Sequence, residues 1–187
     1  MPTNTGLKVT TRLIDVLEDE VDEKYYLSEE KTKKLTLDHD LGGKLNMYDY
    51  NERDKIHSVN KVSPTLNTMQ GGDRQPKIAV REATKQGYAI AEQGDSVNVS
   101  YPTSKTRRGR VGKQVAQTLQ AGEVNQGVVM NDIRIRKLSP LECWRLQGFT
   151  DEQFYKAKDS GVSNSQLYKQ AGNSVSVPVV DAIVKCL

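Results

Sequence analysis

Two cysteines, two histidines and an unevenly distributed set of charges are the residues of this chain whose types could do chemistry. Cys143 lies in Leu141-Glu142-Cys143-Trp144, among residues of packing type, and Cys186 is the penultimate residue. A cysteine nucleophile needs a lowered thiol pKa, and no histidine or lysine-rich loop adjoins either residue in sequence. Packing is the reading for both. At 43 positions apart they do not make a disulfide framework. His39 and His57, 18 apart with no matching cysteine pair, do not make a metal site.

The charges are more informative. The net charge of +3 conceals a polarity: Asp15 to Glu30 holds eight carboxylates and one lysine, whereas Ser100 to Lys113 holds five cations and no acid. Those cations are Lys105, Arg107, Arg108, Arg110 and Lys113. Such a stretch suits a phosphate backbone, where charge neutralisation and counterion release drive binding. A solvated basic loop is the bland alternative.

Three kinds of element must position these residues. Residues 7–37 read as helical pieces, with Leu13, Val16, Leu17 and Val21 at helical spacing and Ser28 as an N-cap. From Leu41 to Met130 glycines are frequent and the apolar runs short, which predicts short strands joined by long loops. Inside that stretch Val62-Ser63-Pro64-Thr65-Leu66, followed by Gly71-Gly72, is echoed 53 residues later by Val115-Ala116-Gln117-Thr118-Leu119, followed by Gly122. Cations precede each copy: Arg53, Lys55 and Lys61, then Arg107 to Lys113. The last 57 residues predict three helices. One runs from Leu138 to Gly148, with Ser139 as cap and Pro140 at its first position. The second runs from Ser163 to Gln170, ending at Ala171-Gly172-Asn173. The third starts at Ser176 with Pro178 at its first position, and is so apolar that it must be buried against something. An apolar fraction of 36% allows a modest core. No apolar run approaches the roughly 20 residues of a membrane helix. The start, Met1-Pro2-Thr3-Asn4-Thr5-Gly6, does not resemble a signal peptide, so a reducing cytoplasm is expected.

Two segments carry a specific resemblance. They are Arg136-Lys137-Leu138-Ser139-Pro140-Leu141-Glu142-Cys143-Trp144-Arg145-Leu146-Gln147-Gly148-Phe149 and Gln166-Leu167-Tyr168-Lys169-Gln170-Ala171-Gly172-Asn173-Ser174-Val175, the latter running into Val177-Pro178-Val179. They closely resemble the ninth and tenth conserved blocks of the DNA (cytosine-5) methyltransferases, in family order. The variable region before the ninth block resembles the family's target recognition domain, which usually contains a Thr-Leu pair followed by glycines. The family's Pro-Cys segment, which holds the nucleophile, has no counterpart in this sequence. Nor have its Glu-Asn-Val block, its Phe-x-Gly-x-Gly turn or its Gln-x-Arg-x-Arg segment.

The resemblance implies an α+β fold in three parts. Residues 1–40 are a helical lead-in, 41–148 an irregular β-containing target recognition domain, and 149–187 helices that dock on a Rossmann-like methyltransferase core absent from this chain. It implies that Asn173 and Ser174 face S-adenosylmethionine, that Thr65 and Thr118 contact phosphates, and that Arg136 and Arg145 are scaffold. Arg53, Lys55, Arg74, Arg107, Arg108 and Arg110 are the candidates for contacting double-stranded DNA, because a guanidinium can bond both O6 and N7 of guanine. No catalytic residue and no metal ligand is expected. The expected partners are duplex DNA and a core polypeptide bearing the catalytic cysteine. An inactive remnant and a stand-alone DNA-binding module stay open as alternatives.

Overall fold

The computed structural model describes residues 12–37, 77–121 and 124–186. Arg53, Lys55, Thr65, Arg74, both histidines and nearly all of the first repeat copy lie outside the described residues.

The lead-in is built of short helical pieces. Two 3₁₀ turns, Leu13–Val16 and Glu23–Tyr25, precede helix α1, Glu29–Leu35, which starts at Ser28 as the spacing predicts. Ser28 accepts a bond from the Lys31 amide, satisfying one of the donors that a helix start leaves free.

The strands are short and form two small antiparallel sheets. β1 (Ile78–Arg81) pairs with β2 (Tyr88–Ala91), and Thr36 bridges to Val80 just after α1. The second sheet has the order β4-β3-β5-β6, with β3 Ser96–Asn98, β4 Val111–Gly112, β5 Gln126–Val129 and β6 Ile135–Lys137. Successive strand residues point to opposite faces, and β5 uses this to join two cores. Val129 packs with Ile78, Val80, Ala91, Val97, Ile133 and Ile135. Its neighbour Val128 packs on the other side with Leu138, Leu141, Trp144, Phe154 and Leu167. Leu13 and Val16 from the lead-in belong to this second core.

Four helices follow. α2 (Pro140–Leu146) has the predicted cap and the predicted proline at its start, and Gly148 ends it at φ +84°. α3 (Asp151–Asp159) is a helix that the apolar periodicity did not announce. Thr150 and Gln153 cap it reciprocally, and Phe154 is its one buried residue. α4 (Asn164–Asn173) continues through Gly172 to Asn173, past the expected last residue Gln170. α5 (Val177–Val184) begins at Val177, one residue before Pro178, and Ser176 makes no side-chain cap. The largest departure is α5's surface. Val177, Val179, Val180, Ile183 and Val184 are all exposed, as is Val175 just before the helix. Among the described residues nothing covers that apolar face.

Candidate functional site

The ninth-block residues form a buried knot. Arg136 and Glu142 are wholly buried and meet in a bidentate pair, with Nη1 at 2.8 Å and Nη2 at 2.7 Å from the carboxylate oxygens. Glu142 also accepts from the amides of Ser139 and of Glu18, each at 2.8 Å. The carboxylate therefore ties β6, the start of α2 and the lead-in together. Arg145 forms a second fork onto Asp151, at 2.8 and 2.6 Å, and donates to the carbonyls of Val16 and Leu17. Both arginines bridge helix and loop, the scaffold role that the sequence implied.

Cys143 is buried in the same knot. Burial, with the Glu142 charge beside it, pushes its thiol up to about 12. Near neutral pH that sulfur carries its proton, the opposite of an activated nucleophile. Cys186 is exposed on the last turn and free. Among the described residues no group of three or more His, Cys, Asp or Glu side chains is arranged to hold a metal.

The basic stretch divides once its geometry is known. Arg110 is fully buried: Nη1 donates to the carbonyls of Asn98 and Ser100, at 3.0 and 2.9 Å, and Nη2 to that of Tyr101 at 2.7 Å. The expectation that Arg110 reads guanine needs correcting, because its fork organises the protein's own loop. That loop holds Tyr101 at φ +47° with its ring exposed, a backbone angle that costs energy in a bulky residue. Lys113 is paired with the buried carboxylate of Asp95 at 2.7 Å. Lys105 and Arg108 are exposed and Arg107 is half-buried. Among the described residues Arg108 bonds through its Nε alone, to the carbonyl of Ala83 at 2.9 Å. Charge alone suggested five available cations; the structure buries Arg110, half-buries Arg107, pairs the exposed Lys113 with Asp95, and leaves Lys105 and Arg108 at the surface.

Thr118 is exposed, and its segment is held by buried amides that sequence reading passed over. Asn125 and Gln126 donate to the Thr118 carbonyl, at 3.2 and 3.5 Å, and Gln126 accepts from the Gln117 amide at 3.1 Å. The available signal was the polar pair Asn125-Gln126 entering a strand beside Gly127.

This segment runs directly against α4. A Cβ built on Gly172 would sit 2.6 Å from the Ala121 amide nitrogen and 2.7 Å from the Gln120 carbonyl carbon. Only glycine allows so close an approach of two backbones. The next residue is Asn173, exposed at the end of α4, with no side-chain hydrogen bond among the described residues. Its amide keeps a donor and an acceptor free, and the Ser174 hydroxyl, which donates to the Ala171 carbonyl at 2.8 Å, can still accept. The pair therefore leaves hydrogen-bonding atoms of both kinds at the surface. The Thr118 segment and Asn173 are thus brought onto neighbouring backbone. Arg107 and Arg108 lie instead beside the β1–β2 turn, through the Ala83 amide and carbonyl.

Fold and site together define a two-sided α+β protein, with an outward basic loop on its sheets and an open apolar helix at its end. The chain belongs to the family described as C-5 cytosine-specific DNA methylase, whose model matches residues 1–187. It is 42% identical over 193 residues to the orphan methyltransferase M.SPBetaI of Bacillus phage SPbeta, covering 94% of this chain and 42% of that protein. The same figures hold for the putative type II methyltransferase M.BsuMIIP of Bacillus subtilis (strain 168). Against the orphan methyltransferase M.Rho11sI of Bacillus phage rho11s the identity is 33% over 281 residues, covering 95% of this chain and 56% of the relative. The chain therefore spans between two fifths and just over half the length of these curated relatives. No solved structure matches it.

Proposed function

We propose that this chain is the carboxyl-terminal part of a DNA (cytosine-5) methyltransferase. It supplies target recognition and one wall of the S-adenosylmethionine site to a Rossmann-like core that carries the catalytic cysteine. The uncovered face of α5 carries this reading. Val175, Ile183 and Val184 are 65%, 56% and 62% exposed, and water-exposed apolar surface of this contiguity marks a docking site. The core is the occupant that family membership supplies, since the relatives extend well beyond the span this chain covers.

The roles divide along the molecule. Arg107 and Arg108 contact duplex DNA, with Arg53, Lys55 and Arg74 as further candidates outside the described residues. Thr118 offers its hydroxyl to a phosphate, as Thr65 would in the other repeat copy. Phosphate contacts fix register, and one or two arginines read base edges. Asn173 and Ser174 hold the cofactor edge, where the bound cofactor supplies the methyl group. Neither Cys143 nor Cys186 attacks cytosine; the nucleophile comes from the core.

Methyl transfer to mixed-sequence duplex DNA tests this. The chain is assayed alone, then with the segment of a relative such as M.SPBetaI that it does not cover. Activity is expected only in the mixture, and Ile183→Lys on the α5 face should abolish it while leaving the chain folded. Transfer by this chain alone, or silence of a mixture whose core is folded and cofactor-bound, overturns the proposal.

A further inference from the structure

A cleft of about 540 Å³ opens between the last turn of α1, the end of β1 and residues 102–105. That is within the span of ligand-sized clefts, roughly 300–1,000 Å³. Lys33, Lys34, Arg81 and Lys105 line it, with Glu82 the one lining carboxylate among the described residues. Glu82 is turned to the protein: its Oε1 accepts from the amides of Arg110, at 2.5 Å, and Val111. The Arg81 Nε donates to the Thr36 carbonyl at 3.0 Å, which orients the guanidinium and leaves its terminal nitrogens without a partner among the described residues. Lys105 pairs with no carboxylate among the described residues. Lys33 and Lys34 have Glu29 and Glu30 one turn back, the first at 3.9 Å. Exposed i,i+4 pairs of this kind contribute little and yield readily to a stronger anion.

We infer that this cleft is a phosphate-binding site that takes the sugar–phosphate backbone of duplex DNA, with Lys33, Lys34, Arg81 and Lys105 as its cations. Four positive groups facing one space repel one another in the free chain, and a polyanion relieves that repulsion. The cleft is continuous with the basic loop, because Ala83, on its wall, is bonded through both backbone groups to Arg107 and Arg108. It draws the lead-in helix into the binding surface. Contacts here position the duplex and read no sequence. The inference rests on the DNA-binding role proposed above and extends it to a second element.

The test is DNA binding by the full chain across a series of salt concentrations, for the wild type and for Lys33→Ala/Lys105→Ala. Each lost phosphate contact lowers the slope of log affinity against log salt by about 0.9, so the double variant should lose about two in slope. Its affinity at 0.1 M salt should fall about tenfold or more, equally on unrelated sequences. Lys33→Arg/Lys105→Arg should restore both, which separates charge from packing. An unchanged slope in the alanine variant, with wild-type binding intact, removes the cleft and leaves the DNA-binding role standing. Absence of wild-type binding removes both. Shifts of the Lys33 and Lys105 resonances on adding inorganic phosphate but not duplex DNA would make this a free-phosphate site and overturn the inference.

Discussion

The sheet region and the helical region solve the same packing problem with opposite surfaces. Around β1 to β6 the apolar side chains are enclosed, the buried Asp95 carboxylate is paired with Lys113 at the surface, and the buried Arg110 bonds three carbonyls through its terminal nitrogens. What this region turns outward is charge, in Lys105, Arg108 and Lys113 and in the cleft above α1. Around α2 and α4 the core is also closed, with Trp144 donating to the Leu167 carbonyl and Tyr168 to that of Leu138. Yet the helical region ends in α5, which turns valines and an isoleucine to solvent. The first surface is suited to a hydrated polyanion and the second to a protein that excludes water. One chain thus carries two unlike surfaces, joined at β5 and at Gly172.

The joint is where the comparison can be broken most severely. Glu142→Ala would leave the buried Arg136 guanidinium unpaired, a loss of about 3–5 kcal/mol, and would release the lead-in held through the Glu18 amide. Both regions should unfold together in a urea titration followed by circular dichroism; a small, local loss would show that the regions do not share this anchor. Gly172→Ala is milder. Its Cβ would press on the backbone of Gln120 and Ala121, and overpacking of this sort costs about 1–3 kcal/mol. Hydrogen exchange at Gln117–Ala121 should quicken while α2 stays protected. Equal protection in both proteins would mean that α4 does not hold the Gln117–Ala121 segment. The smallest effect is alkaline. Cys143 has its pKa raised from 9.0 to about 12, and burial raises Tyr168 above 10.0 as well. Unfolding lets both groups ionise, so the stability they contribute is complete below pH 9.0 and declines toward 12. Both sit in the helical region, which shares the Glu142 anchor with the sheets, so Trp144 emission and the sheet signal at fixed urea should be lost together as pH rises. Loss of the Trp144 signal alone would show that the two regions do not share this anchor.

Much of the helical region was legible because its signals are local. Ser139, Pro140 and Glu142 announce α2 within four residues, and Ser28 and Ser163 announce α1 and α4 in the same way. α3 carried an equally local signal in Thr150 and Gln153, but with one buried apolar residue it lacked the stripe that periodicity detects. The resemblance that pointed to the family likewise lies in two contiguous segments, and the family match spans the chain.

Sequence by itself determined the family, the starts of α1, α2 and α4, and the apolar character of the last helix, and the family resemblance implied the scaffold character of Arg136 and Arg145. Each follows from near neighbours along the chain or from a contiguous pattern. Only the tertiary structure decided which cations face water. Arg110 and Arg108 are two residues apart and equally charged, yet one is enclosed by carbonyls from residues 98–101 and the other stands at the surface. Nor could spacing show that Gly172 meets Ala121, or that Lys33 and Lys105 share a cleft. Those facts depend on contacts between residues some 50 to 70 positions apart. Burial and the field of charges across such distances are properties of the folded surface, which no local pattern encodes.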